Sequence, residues 1–158
     1  MSSRSQSRTT APKLWIVLAR AQRAVAGYVE QCIAAEGLCF SDFMVLEVLL
    51  HKGSMTISDI GQNVLLANAS MTSAVDRLEQ KSLVSREASP NDRRVRIVAL
   101  TNKGKAFISE LYERHVSDLE TIMGVLTKKE QDQLRALLKK LGYAAESAKG
   151  VPQEGAHQ

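Results

Sequence analysis

The chain has 158 residues, 44% hydrophobic and 24% charged, with a formal net charge of +4. That is one domain or one compact protomer with enough apolar material for a core, which excludes a disordered body. No apolar run approaches the roughly 18 residues of a membrane span, so no membrane partner is expected. Two cysteines and three widely separated histidines exclude a disulfide scaffold and offer no metal-ligand spacing; neither metal nor cofactor is expected. The polar start, MSSRSQSRTTAPK, lacks the apolar middle of a secretion signal and points to the cytoplasm.

The first expected element is a disordered basic tail, residues 1–11. From Pro12 the positions Leu14, Leu18, Ala21, Val25, Tyr28 and Cys32 recur at spacings of four and three, one stripe along a helix that stops near Gly37. Ser41 is placed to cap a second helix carrying Phe43, Val45, Leu46, Leu49 and Leu50 and ending at Gly53. Thr56 and Asp59 form a capping-box pattern that opens a short helix through Val64, and another helix follows over about 70–81.

The pattern then changes to two strand-like runs, 83–88 and 95–100, rich in Val, Ile and Leu. The turn cluster Ser89-Pro90-Asn91-Asp92-Arg93-Arg94 between them predicts a hairpin. A long helix is expected over about 102–126, with Ile108, Leu111, His115, Leu119, Ile122 and Leu126 on one stripe. Thr127 and Glu130 cap a last helix bearing Leu134, Leu137, Leu138 and Leu141; residues 144–158 are expected to be a flexible tail.

The charge is concentrated. Residues 1–13 carry Arg4, Arg8 and Lys13 and no acid, and residues 83–105 carry six bases against two acids. A short basic segment is an electrostatic footprint for phosphate, although a solvated charged hairpin would look the same.

The stretch 56–79 fits a helix-turn-helix. Ile60, Val64, Leu66, Met71, Ala74 and Leu78 can pack inward, with Gly61 where the two helices cross. Asn68, Ser70, Thr72 and Ser73 then fall at or near the start of the second helix. Asn68, Thr72 and Ser73 are left outward, short hydrogen-bonding side chains of the kind that read base edges in a major groove. Arg77 lies a turn further on, in reach of a phosphate or a guanine. In the hairpin Arg86, Arg93 and Arg94 are the candidate contacts. An arginine at the tip suits a narrow minor groove, and Asp92 can orient Arg94.

The runs Asp92-Arg-Arg-Val-Arg-Ile-Val98, Leu100-Thr-Asn-Lys-Gly104 and Met71-Thr-Ser-Ala-Val-Asp-Arg-Leu-Glu79 resemble the MarR family of bacterial transcription regulators over residues 12–142. The chain departs from the family's habit at Ser82, where glycine is usual, and at Ala67 and Ala69. The resemblance implies a mainly α fold with a small β-hairpin. A winged helix-turn-helix DNA-binding domain would span 41–101, with dimerisation helices at 12–36 and 102–143. It implies a homodimer that binds double-stranded DNA at a pseudo-palindromic operator. Such a protein would be a repressor released by a small, aromatic ligand or an oxidant, and would not be an enzyme. Carried over, Arg94 is the minor-groove arginine and Asp92 its orienting partner.

The terminal stripes support the dimer independently, being too long for so small a body to bury. Leu14, Leu18, Val25, Leu119, Ile122, Leu134 and Leu138 are the candidate interface. Trp15, Tyr28, His51 and His115 are candidates for an effector pocket, by analogy with the family. Cys32 and Cys39 read better as small hydrophobes than as a redox pair, because acids rather than bases flank them in sequence. Two alternatives stand beside the regulator: a helical dimeric adaptor without DNA binding, and a cysteine-based redox enzyme.

Overall fold

The computed structural model describes residues 10–64, 71–89 and 94–149. Among the described residues six helices and three short strands follow one another: α1 (Thr10–Ala35), α2 (Phe40–Lys52), β1 (Met55–Thr56), α3 (Ile57–Asn63), α4 (Met71–Gln80), β2 (Val84–Ala88), β3 (Arg96–Leu100), α5 (Asn102–Met123) and α6 (Lys128–Lys149). The chain forms two compact units, residues 1–119 and 120–158.

In the first unit the core is built around α2, which is apolar on nearly every side. Phe43, Val45, Leu46 and Leu49 are buried there with Ile33 of α1, Ile60 of α3, Ala74, Val75 and Leu78 of α4, Val98 of β3 and Ile108 of α5. The residues expected to pack inside the helix-turn-helix do so, namely Ile60, Val64, Met71, Ala74 and Leu78; Leu66 lies outside the described residues. Gly61 is not a forced glycine. A Cβ there would meet the Met71 Cγ at 3.7 Å, an ordinary contact.

The hairpin forms as expected, β2 antiparallel to β3 with Ser85 opposite Ala99 and Arg86 opposite Val98. The sheet has a third member that the sequence reading omitted. β1 pairs with the other edge of β3, Met55 opposite Val98, giving the order β1-β3-β2. Two residues are too few to show a period of two, so only the pairing reveals them.

Four helix boundaries also differ: α5 ends at Met123, short of the expected 126, so Leu126 lies past the helix rather than on its stripe. Helix α1 begins at Thr10, two residues before Pro12, which falls in its first turn where the missing N–H costs nothing. Helix α6 continues to Lys149, through Ala144 and Ala145, which are strong helix formers; the tail expected from 144 is helical over those residues. Helix α2 starts at Phe40 with Cys39 at its cap and no side-chain cap bond. The Ser41 hydroxyl, expected as that cap, instead accepts a hydrogen bond from Arg77 Nη2 at 3.1 Å.

Thr56 caps α3 through its side chain, and Thr127 with Glu130 forms a reciprocal capping box. Thr56 Oγ1 accepts from the Asp59 N–H at 3.1 Å. In the second unit the Thr127 N–H donates to Glu130 Oε2 at 2.8 Å, and the Glu130 N–H to Thr127 Oγ1 at 3.4 Å. Hydrogen bonds from Thr127 hold the Glu130 carboxyl below its usual range. This unit comprises the end of α5 and all of α6. Gln131 ties its turn by donating to the carbonyls of Met123 and Leu126 at 3.0 and 3.1 Å.

Helix α4 ends in a left-handed turn. The Leu83 N–H reaches the Leu78 carbonyl and the Ser82 N–H reaches that of Glu79, both at 2.9 Å, with Ser82 at φ 59°. This is the double hydrogen bond of a Schellman stop, and Leu78 and Leu83 are buried beside it. The next joint is equally tight. Thr101 Oγ1 caps α5 by accepting from the Gly104 N–H at 2.9 Å while donating to the Ser82 carbonyl at 2.8 Å. Gly104 passes so close to Leu83 that a Cβ would stand 1.8 Å from its carbonyl oxygen.

Candidate nucleic-acid interface

Helix α4 presents two different faces. Met71, Ala74, Val75 and Leu78 are buried, while Thr72 and Ser73 are exposed near its start. Those two hydroxyls therefore occupy the outward positions expected of base-reading residues. Asn68 and Ser70 fall outside the described residues, as do Asp92 and Arg93 at the hairpin tip. Arg94 is exposed in the turn two residues before β3, and the Ser89 N–H donates to the Val95 carbonyl at 2.9 Å.

Two arginines behave otherwise than the sequence suggested. Arg77 was expected to reach out from α4 to a phosphate or guanine. Its guanidinium lies instead on the Asp42 carboxylate of α2, with Nη2 at 2.5 Å and Nε at 3.0 Å from Oδ1. Asp42 is 1% exposed, the one charged residue buried among the described residues. Burying a carboxylate is costly unless it is paired and hydrogen-bonded, and Arg77 supplies both. The hydrogen bonds that Arg77 donates to Asp42 in turn outweigh desolvation and hold the guanidinium protonated.

Arg86 was expected as a wing contact. It turns back from β2 onto α4, with Nη2 2.5 Å from Asp76 Oδ1 and Nη1 2.6 Å from Glu79 Oε2. The partner acids, Asp42, Asp76 and Glu79, were in plain view in the sequence. What it lacked was the fold that brings position 42 to position 77. The spacing of Asp76 and Glu79, three apart on one helix face, was the available signal for Arg86.

Of the effector candidates, the structure gathers some and separates others. His51 meets the Tyr112 ring edge-on at 4.7 Å, and His115 meets Phe43 edge-on at 4.9 Å and Tyr112 at 6.4 Å. His115 Nδ1 is buried with no hydrogen-bond partner. The histidine borders a cavity of about 330 Å³ also lined by Cys32, Glu36, Leu111, Arg114 and Asp118. Tyr28 and Asp118 both interact with the Cys32 thiol; burial pushes that thiol above its usual range and Asp118 pushes it further. Trp15 stands apart, 13 residues before Tyr28 and so about 20 Å along the same helix, and it is 67% exposed. Cys39 is exposed and Cys32 half-buried, both as free thiols.

A three-helix core that presents a short helix with outward hydroxyls, followed at once by a basic antiparallel hairpin, defines the winged helix-turn-helix class of DNA-binding proteins. The comparisons with known proteins agree. The MarR family model matches residues 41–95. The HTH-type transcriptional regulator MhqR of Bacillus subtilis is 39% identical over 133 residues, covering 84% of this chain and 92% of its own. A MarR-like transcription regulator from Bacillus cereus superposes with a TM-score of 0.76 at 24% identity, over 85% of this chain and 97% of its own. BpsR of Bordetella bronchiseptica, whose DNA binding is regulated by 6-hydroxynicotinic acid, superposes at 0.71 with 25% identity, over 80% and 90%. The chain belongs to the MarR family and is a DNA-binding transcription regulator.

Proposed function

We propose that this regulator acts in the cytoplasm as a homodimeric repressor of a pseudo-palindromic operator. Helix α4 enters the major groove, where Thr72 and Ser73, with Asn68 and Ser70 before them, meet base edges and nearby phosphates. The wing reaches the neighbouring minor groove through Arg94, oriented by Asp92, with Arg93 beside it. The observation that carries this reading is the split character of α4: one face sealed in the core, the other offering hydroxyls beside a basic hairpin.

The dimer rests on exposed apolar side chains on the terminal helices. Leu14, Trp15, Ile16 and Val17 on α1 are 47–67% exposed, and Leu134, Leu137, Leu138 and Leu141 on α6 are 42–65% exposed. Patches of this kind mark interaction surfaces. A two-fold axis covers both with the same surface from a second copy, and it sets two recognition helices about one DNA turn, roughly 34 Å, apart. The cavity beside His115 is the site assigned to a small aromatic effector, and the buried Nδ1 of that histidine has no hydrogen-bond partner. A ligand of this kind releases DNA only if it binds the non-binding spacing of the two wings more tightly.

The test is selection of bound duplexes from a random pool at fixed salt, followed by titration of the winner. The expected result is an inverted repeat with half-sites about one turn apart, whose affinity falls steeply with salt and with Arg94→Ala. Absence of enrichment contradicts the regulator reading and favours the adaptor.

A further inference from the structure

We propose that the Asp42–Arg77 pair is a positioning device for the recognition helix and that Arg77 makes no contact with DNA. The inference rests on the DNA-binding reading above and assigns a new role within it. Helix α4 is held on two flanks by ions. On one, Arg77 runs to the buried Asp42 near the start of α2, with two contacts to Oδ1 and a third, Nε to Oδ2, at 3.3 Å, and its Nη2 also reaches Ser41. On the other, Arg86 from β2 bridges Asp76 and Glu79.

The two braces differ in weight. Arg86 and its acids sit at the surface, with Asp76 and Glu79 side chains 49% and 42% exposed, so water screens them and their contribution is small. Asp42 has a side chain only 2% exposed, so its charge has no alternative partner in water. A planar guanidinium held by two nitrogens against one buried carboxylate fixes direction as well as distance. The pair joins residues 35 apart in sequence and sets the rotation of α4 about its own axis against α2. That rotation determines where Thr72 and Ser73 point, one turn earlier on the same helix.

Asp42 thus strengthens DNA binding although it is an acid in a protein that binds a polyanion. This reverses the sign expected from charge alone and makes the idea testable. The measurement is affinity for the selected operator over a range of salt, for wild type, Asp42→Asn, Arg77→Gln and the double variant, each checked for folding by circular dichroism and thermal melting.

Removing a negative charge by Asp42→Asn should tighten binding if only long-range electrostatics operate. As a brace it should weaken operator binding at least tenfold, equivalent to about 1.4 kcal/mol. Arg77→Gln should weaken binding similarly while leaving the slope of log affinity against log salt unchanged. The double variant should cost no more than the worse single one, since both remove the same brace. The result that overturns the proposal is Asp42→Asn binding as tightly as wild type, or Arg77→Gln flattening the slope by about 1.8, the value for one lost phosphate contact in each of two protomers. If Asp42→Asn fails to fold, the slope of Arg77→Gln decides alone. Wild-type protein that enriches no duplex removes the DNA-binding reading itself, and the brace with it, before any variant is made.

Discussion

Helices α4 and α6 are both amphipathic, yet they use their apolar faces in opposite ways. In α4, ten residues long, Met71, Ala74, Val75 and Leu78 are all buried by the chain that carries them. In α6, 22 residues long, no described residue is buried, and Leu134, Leu137, Leu138 and Leu141 stand exposed. A hydrophobic stripe therefore says that a face will be covered, and leaves open by what. The first helix is finished within one chain and can present its other face to a ligand. The second needs a surface from elsewhere, and its own sequence pattern is as regular as that of α4.

The comparison breaks most violently at Leu78. This side chain is fully buried and sits beside the turn that ends α4. Leu78→Ala should cost about 2–5 kcal/mol of unfolding free energy, read by urea denaturation, because the surrounding core cannot collapse into the space. The paired substitution Leu134→Glu and Leu138→Glu on α6 should act on association instead. Losing two interface leucines should weaken self-association by about 3 kcal/mol or more, at least a hundredfold, with helix content little changed. Sedimentation and circular dichroism on one sample separate the two effects.

Smaller changes test the joint between α4, the wing and α5. Gly104→Ala places a methyl group against the Leu83 carbonyl, which must move. A loss of about 1–3 kcal/mol is expected, visible as a lower melting temperature. Ser82→Gly works in the other direction. Serine at φ 59° is strained, and glycine removes that strain. A gain of about 0.5–1 kcal/mol is expected, the smallest effect in the series. An unchanged or lowered melting temperature for this variant would show that the Ser82 backbone is not under strain.

Much of this architecture was legible before any coordinates. Element types followed from spacing: the four-three rhythm from Leu14 to Cys32 gave α1, and the turn cluster at 89–94 gave the hairpin. The caps at Thr56 and Thr127 were local, so the sequence contained all their atoms. What escaped was non-local. β1 is two residues long and exists only because β3 offers it an edge. The end of α6 moved because Gly/Pro/Gln-rich composition sets in only after the helix-forming run of Ala144 and Ala145. At the candidate site, the outward hydroxyls of Thr72 and Ser73 followed from helical period alone. The fates of Arg77 and Arg86 did not, because a basic residue looks the same in sequence whether it awaits a phosphate or is already held by an acid 35 positions away. Cavity and ring contacts around His115 were equally invisible, since they join α1, α2 and α5.

The central claim is that the reading helix is completed within one chain while the terminal helices are completed between two. Sedimentation equilibrium of the purified chain at micromolar concentration, with and without the Leu134→Glu and Leu138→Glu pair, tests it most directly. The account predicts twice the 17.3 kDa chain mass for wild type and a shift towards one chain mass for the variant, with the melting of the first unit preserved. A wild-type protein that sediments as a single chain, with its α1 and α6 leucines in water, would contradict it.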